Sequence, residues 1–136
     1  MSDENKKCHL TNILNVISRM GNNSFSLKGW AVGVMIAVYS FAGSNTNKAI
    51  IVTLIPLLVI WILDAYYLMI ERKFRKLYDV ERIKKEEEID FNMNYNETFI
   101  KMNELSKYTI IKAMFSKTVV PFYLVCIITT IIIYFI

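Results

Sequence analysis

From Ala49 to Ile70 the chain runs for 22 residues with one charged side chain, Asp64. As a helix that stretch is about 33 Å long, close to the ~30 Å hydrocarbon core of a bilayer. Between Ile50 and Leu63 the only hydroxyl is Thr53. Two further apolar blocks exist, Gly29–Ala42 and the 18-residue run Val119–Ile136, and the charged residues gather in the segments between them. A soluble core interleaves apolar and polar residues at periods near 3.6 or 2, so the blockwise pattern points to lipid. Hydrophobic residues make up 54% of the 136 residues and the mean hydropathy is +0.35, high for a soluble domain of this size. The expected fold is an all-α integral membrane protein.

Four regions follow from this pattern. Residues 1–24 form an N-terminal segment in which Leu10, Ile13, Leu14 and Ile17 recur at helical spacing while Asn12, Asn15 and Ser18 face elsewhere. Such a helix either packs on the protein's own cytoplasmic part or lies flat among lipid headgroups. Gly21-Asn22-Asn23-Ser24 is expected to break it. Residues 25–70 form a transmembrane hairpin, with crossings at about 25–43 and 49–70 around the polar turn Gly43–Lys48. Pro56 should bend the second crossing or be accommodated by a neighbour, and Trp61, Tyr66 and Tyr67 resemble an interfacial aromatic belt. Residues 71–118 read as a cytoplasmic helical hairpin: an exposed helix over Glu71–Asp90 with Lys84–Glu88 pairing, a turn at Asp90–Asn96, and an amphipathic return helix marked by Phe99, Met102, Leu105 and Tyr108. Residues 119–136 supply a third crossing, with Pro121 tolerated near its start.

The distribution of lysine and arginine sets the expected orientation. Four (Lys6, Lys7, Arg19 and Lys28) precede the apolar stretch Gly29–Ala42 of the first crossing, one (Lys48) lies between the first two, and eleven fall within 71–118. The positive-inside rule then puts the N-terminus in the cytoplasm and the C-terminus outside. The net charge of +4 is explained by this bias, and no nucleic-acid-binding motif accompanies it. No cleavable signal peptide is expected, since residues 1–24 lack an apolar core followed by a small-residue site. Cys8 and Cys126 read as free thiols rather than a disulfide.

Catalytic signatures are sparse. The one histidine, His9, lies beside Cys8 in a segment expected to be exposed, and two adjacent ligands are too few for a metal site. No phosphate-cradling loop exists among the four glycines, so neither enzyme activity nor a cofactor is expected. Three constellations carry more interest. Gly29, Gly33 and Ala37 sit four apart on one helix face, where small residues let a neighbouring helix approach closely. Asp64 lies about two turns before Glu71 and at the depth of Lys28, so the two can form a structural ion pair at the base of the hairpin or take part in gating. Arg72, Lys73, Arg75 and Lys76 anchor the positive side, and they also suit an anionic lipid or the phosphates of a nucleotide messenger. Tyr78 and Tyr95 are more consistent with packing than with base stacking.

The stretches Ser18–Trp30 (SRMGNNSFSLKGW), Trp61–Tyr67 (WILDAYY), Glu71–Asp79 (ERKFRKLYD), Ile89–Met93 (IDFNM) and Phe115–Thr118 (FSKT) resemble a widespread family of small bacterial membrane proteins without assigned function. The layout is also similar to the SLATT class of conflict-system membrane effectors, which has an N-terminal helix, a two-helix hairpin and a cytoplasmic helix. That likeness implies an oligomeric inner-membrane effector in antiphage defence that responds to a nucleotide signal or a cytoplasmic sensor protein and permeabilises the membrane. The third crossing departs from the two-crossing pattern. The alternative is a non-permeating anchor or accessory subunit, which the few polar residues of the last segment (Tyr123, Cys126, Thr129, Thr130) favour over a wide pore.

Overall fold

Two long helices paired side by side organise the chain. In the computed structural model, which describes residues 4–42, 46–102 and 107–135, α1 spans Glu4–Ala42 and α2 spans Thr46–Glu81. A 3-10 turn at Glu86–Glu88 follows, then α3 at Tyr95–Met102, α4 at Ile110–Met114 and α5 at Val120–Phe135. Every regular element among the described residues is helical. Helices α1 and α2 are long and apolar enough to cross a membrane, and α5 is a shorter apolar helix.

The α1–α2 pairing explains why α1 does not break at Gly21-Asn22-Asn23-Ser24, contrary to the expectation from sequence. Glycine and asparagine cost up to about 1 kcal/mol each relative to alanine inside a helix, but a continuous buried stripe outweighs them. His9, Ile13, Ile17, Ala31 and Met35 are buried on α1, with Met20, Ser24 and Lys28 partly buried on the same line. On α2 the matching stripe is Thr53, Leu57, Asp64, Ile70, Phe74, Leu77 and Glu81. Steps of three and four residues keep each stripe facing its partner along the whole contact, as in antiparallel bundles. The boundaries expected at 24/25 and 70/71 therefore fall inside continuous helices. Helix α2 also runs through Pro56 without ending.

The pair encloses two apolar cores. One gathers Ala31, Met35 and Leu57 with Val119, Tyr123 and Cys126 of the last segment. The other gathers Ile13 and Ile17 with Ile70, Phe74 and Leu77, against which Tyr78 and Tyr95 pack. The surroundings of the two cores differ. Around the first, the exposed side chains are apolar, among them Trp30, Ile36, Ile51, Ile55 and Ile131; around the second, they include Arg75, Asp79 and Arg82. The bundle thus has an apolar half and a polar half.

Beyond α2 the polar half departs from a simple helical hairpin. Helix α2 stops at Glu81 rather than continuing to Asp90, so Lys84 pairs back to Glu81 at 2.6 Å and Glu88 instead accepts from the Lys85 amide at 3.1 Å. Residues 90–96 form successive Asx turns: Asp90, Asn92 and Asn94 side-chain oxygens accept from the amides of Asn92, Asn94 and Asn96 at 3.0, 2.9 and 3.2 Å. Phe91 there adopts a left-handed φ of 54°, costly for an aromatic residue. The return helix is split into α3 and the five-residue α4; Leu105, expected on it, lies outside the described residues. Helix α5 brings Tyr123 to Ile60 and Trp61, and Ile127 to Leu54 and Leu57, so it runs antiparallel to α2.

Candidate functional site

The two cores meet at a layer of buried polar groups. Asp64 is fully buried on α2, and its Oδ2 lies 2.6 Å from Lys28 Nζ of α1. Ser24, one turn before Lys28, donates to Asp64 Oδ1 and accepts from Lys28 Nζ at 2.9 Å. The pairing inferred from matched depth is therefore present, with Ser24 as a third member. The Lys28 side chain is 23% exposed while that of Asp64 is not exposed at all, so the ammonium reaches the surface and the carboxylate does not. A fourth group arrives from the last helix: the Tyr123 hydroxyl donates to the Ile60 carbonyl at 3.4 Å, one turn before Asp64 on α2. Asp64 thus joins α2 to α1, and Tyr123 docks α5 one turn away.

Aromatic packing reinforces the junction. Trp61 stacks on Tyr123 with centroids 5.5 Å apart and ring planes 11° from parallel. Its indole N–H donates to the Met114 carbonyl at 3.2 Å, and Phe115 meets it edge-on at 6.1 Å. Trp61 therefore points inward, toward the last segment. Of the expected aromatic belt, Tyr66 is exposed.

Other expected residues are not drawn into one site. Gly29, Gly33 and Ala37 form a bare face turned away from the chain's own helices; a Cβ added to either glycine would touch nothing within 4 Å. Close packing on this stripe within one chain is thus not what the fold uses, because the α1 face toward α2 runs through Ser24, Lys28 and Ala31. Beside the stripe, Trp30 is 70% exposed. Arg72, Lys73, Arg75 and Lys76 spread around α2 rather than converging: Arg75 pairs with Glu71 at 2.7 Å and Lys73 sits 5.0 Å above the Tyr95 ring.

His9, expected to be exposed, is fully buried, while neighbouring Cys8 is exposed on the other side of α1. Burial follows from its place four residues before Ile13 on the packed stripe. His9 Nε2 lies 3.6 Å from Glu81 Oε2, and Phe91 meets the imidazole edge-on at 5.5 Å. Lys6 Nζ donates to the Lys84 carbonyl at 2.6 Å, and the Asn5 amide to Glu86 at 3.3 Å. These contacts fasten the start of α1 to the end of α2. The nearby Asp90 carboxyl is held below its usual range by the Asn92 amide, with Lys84 and His9 adding to the effect. Among the described residues no group of three or more His, Cys, Asp or Glu side chains is placed to hold a metal.

The threonine hydroxyls of α5 are satisfied within their own helix: Thr130 donates to the Cys126 carbonyl at 2.9 Å and Thr129 to the Val125 carbonyl at 2.8 Å. An apolar crevice of about 610 Å³ opens between α1 and α5, lined by Met35, Ile36, Phe122 and Cys126 and bordered by Tyr39. No protein-family model, curated protein or solved structure matches the chain.

Proposed function

We propose that the chain is a small multi-pass protein of the bacterial inner membrane, N-terminus inside and C-terminus outside, acting as an oligomeric effector of membrane integrity. The observation that carries this reading is the buried Ser24–Lys28–Asp64 cluster between the apolar and polar halves. Ionised groups inside apolar helices are costly and mark elements under functional selection. Tyr123 of α5 docks on the Ile60 carbonyl one turn away, so disturbing the cluster loosens α5 from the hairpin. A nucleotide signal or a cytoplasmic sensor protein acting on the polar half is the proposed trigger. The bare Gly29–Gly33–Ala37 face supports association with further copies. The antiphage setting rests on the similarity of the layout to SLATT effectors.

The threonine hydroxyls of α5, both bonded within their own helix, favour a second reading. A resting bundle without a polar stripe is equally suited to a non-permeating anchor or accessory subunit. Expression of the full chain with its neighbouring genes, followed by phage challenge and a potential-sensitive dye, separates the two. The effector reading expects depolarisation; an unchanged potential under activating conditions sinks it. A stable complex with one partner and no ion flux in liposomes supports the anchor.

A further inference from the structure

We propose that residues 107–118, the elbow between the polar half and α5, form a binding surface for anionic phospholipid headgroups. The proposal rests on the membrane reading above, and it relocates lipid contact away from Arg72–Lys76. The elbow sequence KYTIIKAMFSKT holds Lys107, Lys112 and Lys117 and no carboxylate, and all three lysines are exposed. Helix α4 buries Ala113 and turns Ile111, 64% exposed, and Phe115, 68% exposed, outward. A short cationic element displaying large apolar side chains matches a lipid interface, where the apolar groups enter the acyl boundary and the ammonium groups meet phosphates.

The depth of the elbow is fixed. Trp61 donates to the Met114 carbonyl, and Ser116 is buried beside it. Trp61 lies one turn from Asp64, where the exterior changes from apolar to polar. Arg72 and Lys76 lie about 12 and 18 Å beyond Asp64 along α2. The Thr109 hydroxyl caps α4, accepting from the Lys112 amide at 3.4 Å.

The test uses the full chain in nanodiscs of phosphatidylcholine alone or with about 30 mol% phosphatidylglycerol, whose negative surface attracts basic segments. Hydrogen exchange of the peptide covering 107–118 is the readout. Exchange is expected to slow at least about fivefold in the anionic discs, the ratio that one lysine at an anionic surface supplies. The slowing should vanish at about 0.5 M salt, where screening is short-ranged. It should also vanish in the K107Q/K112Q/K117Q variant and persist in R72Q/K73Q/R75Q/K76Q. Equal exchange of the wild-type chain in both lipids overturns the proposal without recourse to any variant. Slowing that survives in the elbow variant overturns it too, and would place anion recognition elsewhere. Failure to enter nanodiscs overturns the membrane reading itself; entry with lipid-independent exchange overturns only the elbow.

Discussion

Removing Lys28 should destabilise the bundle more than removing Asp64, although both belong to one ion pair. Lys28→Met strands a fully buried carboxylate with the Ser24 hydroxyl still donating to it. Stranding one charge of a buried pair costs about 3–5 kcal/mol. Asp64→Leu leaves an ammonium that already reaches the surface and can extend further along its flexible stem, so its cost should fall to about 1.5–3 kcal/mol, the worth of a charge-assisted hydrogen bond. In Lys28→Met/Asp64→Leu neither charge is stranded, and apolar replacement of a buried pair is often close to neutral. The double variant should therefore recover most of the Lys28→Met loss. Thermal unfolding of the full chain in detergent, followed by circular dichroism, reads the cycle; at roughly 3–4 °C per kcal/mol for a chain of this size, Lys28→Met should melt about 10 °C or more below wild type. A double variant that loses the sum of both single effects would refute the reasoning, because independent sites add and a coupled pair does not.

Tyr123→Phe should keep the Trp61 stack but lose the hydroxyl contacts, speeding hydrogen exchange in α5 while lowering the melting temperature only a few degrees, as one hydrogen bond of about 1 kcal/mol implies. Tyr123→Ala should cost about 3–5 kcal/mol through the cavity it leaves in the apolar core, read by the same melt. For Asp90, whose folded pKa is depressed, the stabilisation is present above the ordinary carboxylate range and is lost as pH falls through the folded value. Protection of the Asn92 amide relative to its intrinsic exchange rate should fall on acidification below about pH 4, and Asp90→Asn should remove that acid-dependent step. His9→Glu places a second carboxylate beside Glu81 and should expose residues 82–94 to limited proteolysis, whereas His9→Gln, which adds no like charge, should not.

Much of the arrangement is legible in the sequence because lipid-like apolar runs and charge segregation are strong signals. The two long apolar helices, the antiparallel return of Val120–Phe135 and the Lys28–Asp64 pairing all follow from run length and matched depth. The error at Gly21–Ser24 came from reading helix breakers locally. The stripe His9, Ile13, Ile17, Met20, Ser24, Lys28, Ala31, Met35 keeps one period across the supposed break, and it also foretells that His9 is buried. Because that stripe mixes apolar, polar and charged residues, a hydrophobic pattern alone does not register it. The elbow was hidden for a different reason: Ile111 and Phe115 look like core residues in a helical pattern, and only the burial of Ala113 and Ser116 instead shows that they face outward.

An unbroken α1 bears on how a signal would travel. His9 and Lys28 are 19 residues apart on one helix, about 28 Å along its axis. A hinge at Gly21–Ser24 would have let the N-terminal segment move without disturbing the ion pair. With the helix continuous, displacing its start from Glu81, Lys84 and Phe91 tilts the same rod that carries Ser24 and Lys28. The effect at the far end is amplified because Asp64 is held by Ser24 and Lys28 of the same rod, and packed junctions switch between discrete arrangements rather than deform smoothly. On the effector reading, then, the His9–Glu81 contact is where a trigger acts with the longest lever arm. Gly21→Ala, whose added Cβ meets only the Glu71 carboxylate at an ordinary 3.7 Å, should stiffen the rod without breaking it. Asn22→Gly/Asn23→Gly, which keeps the stripe in register, should soften the rod and weaken the response of the Asp64 junction to His9→Glu, as hydrogen exchange around residues 60–68 and 119–126 would report.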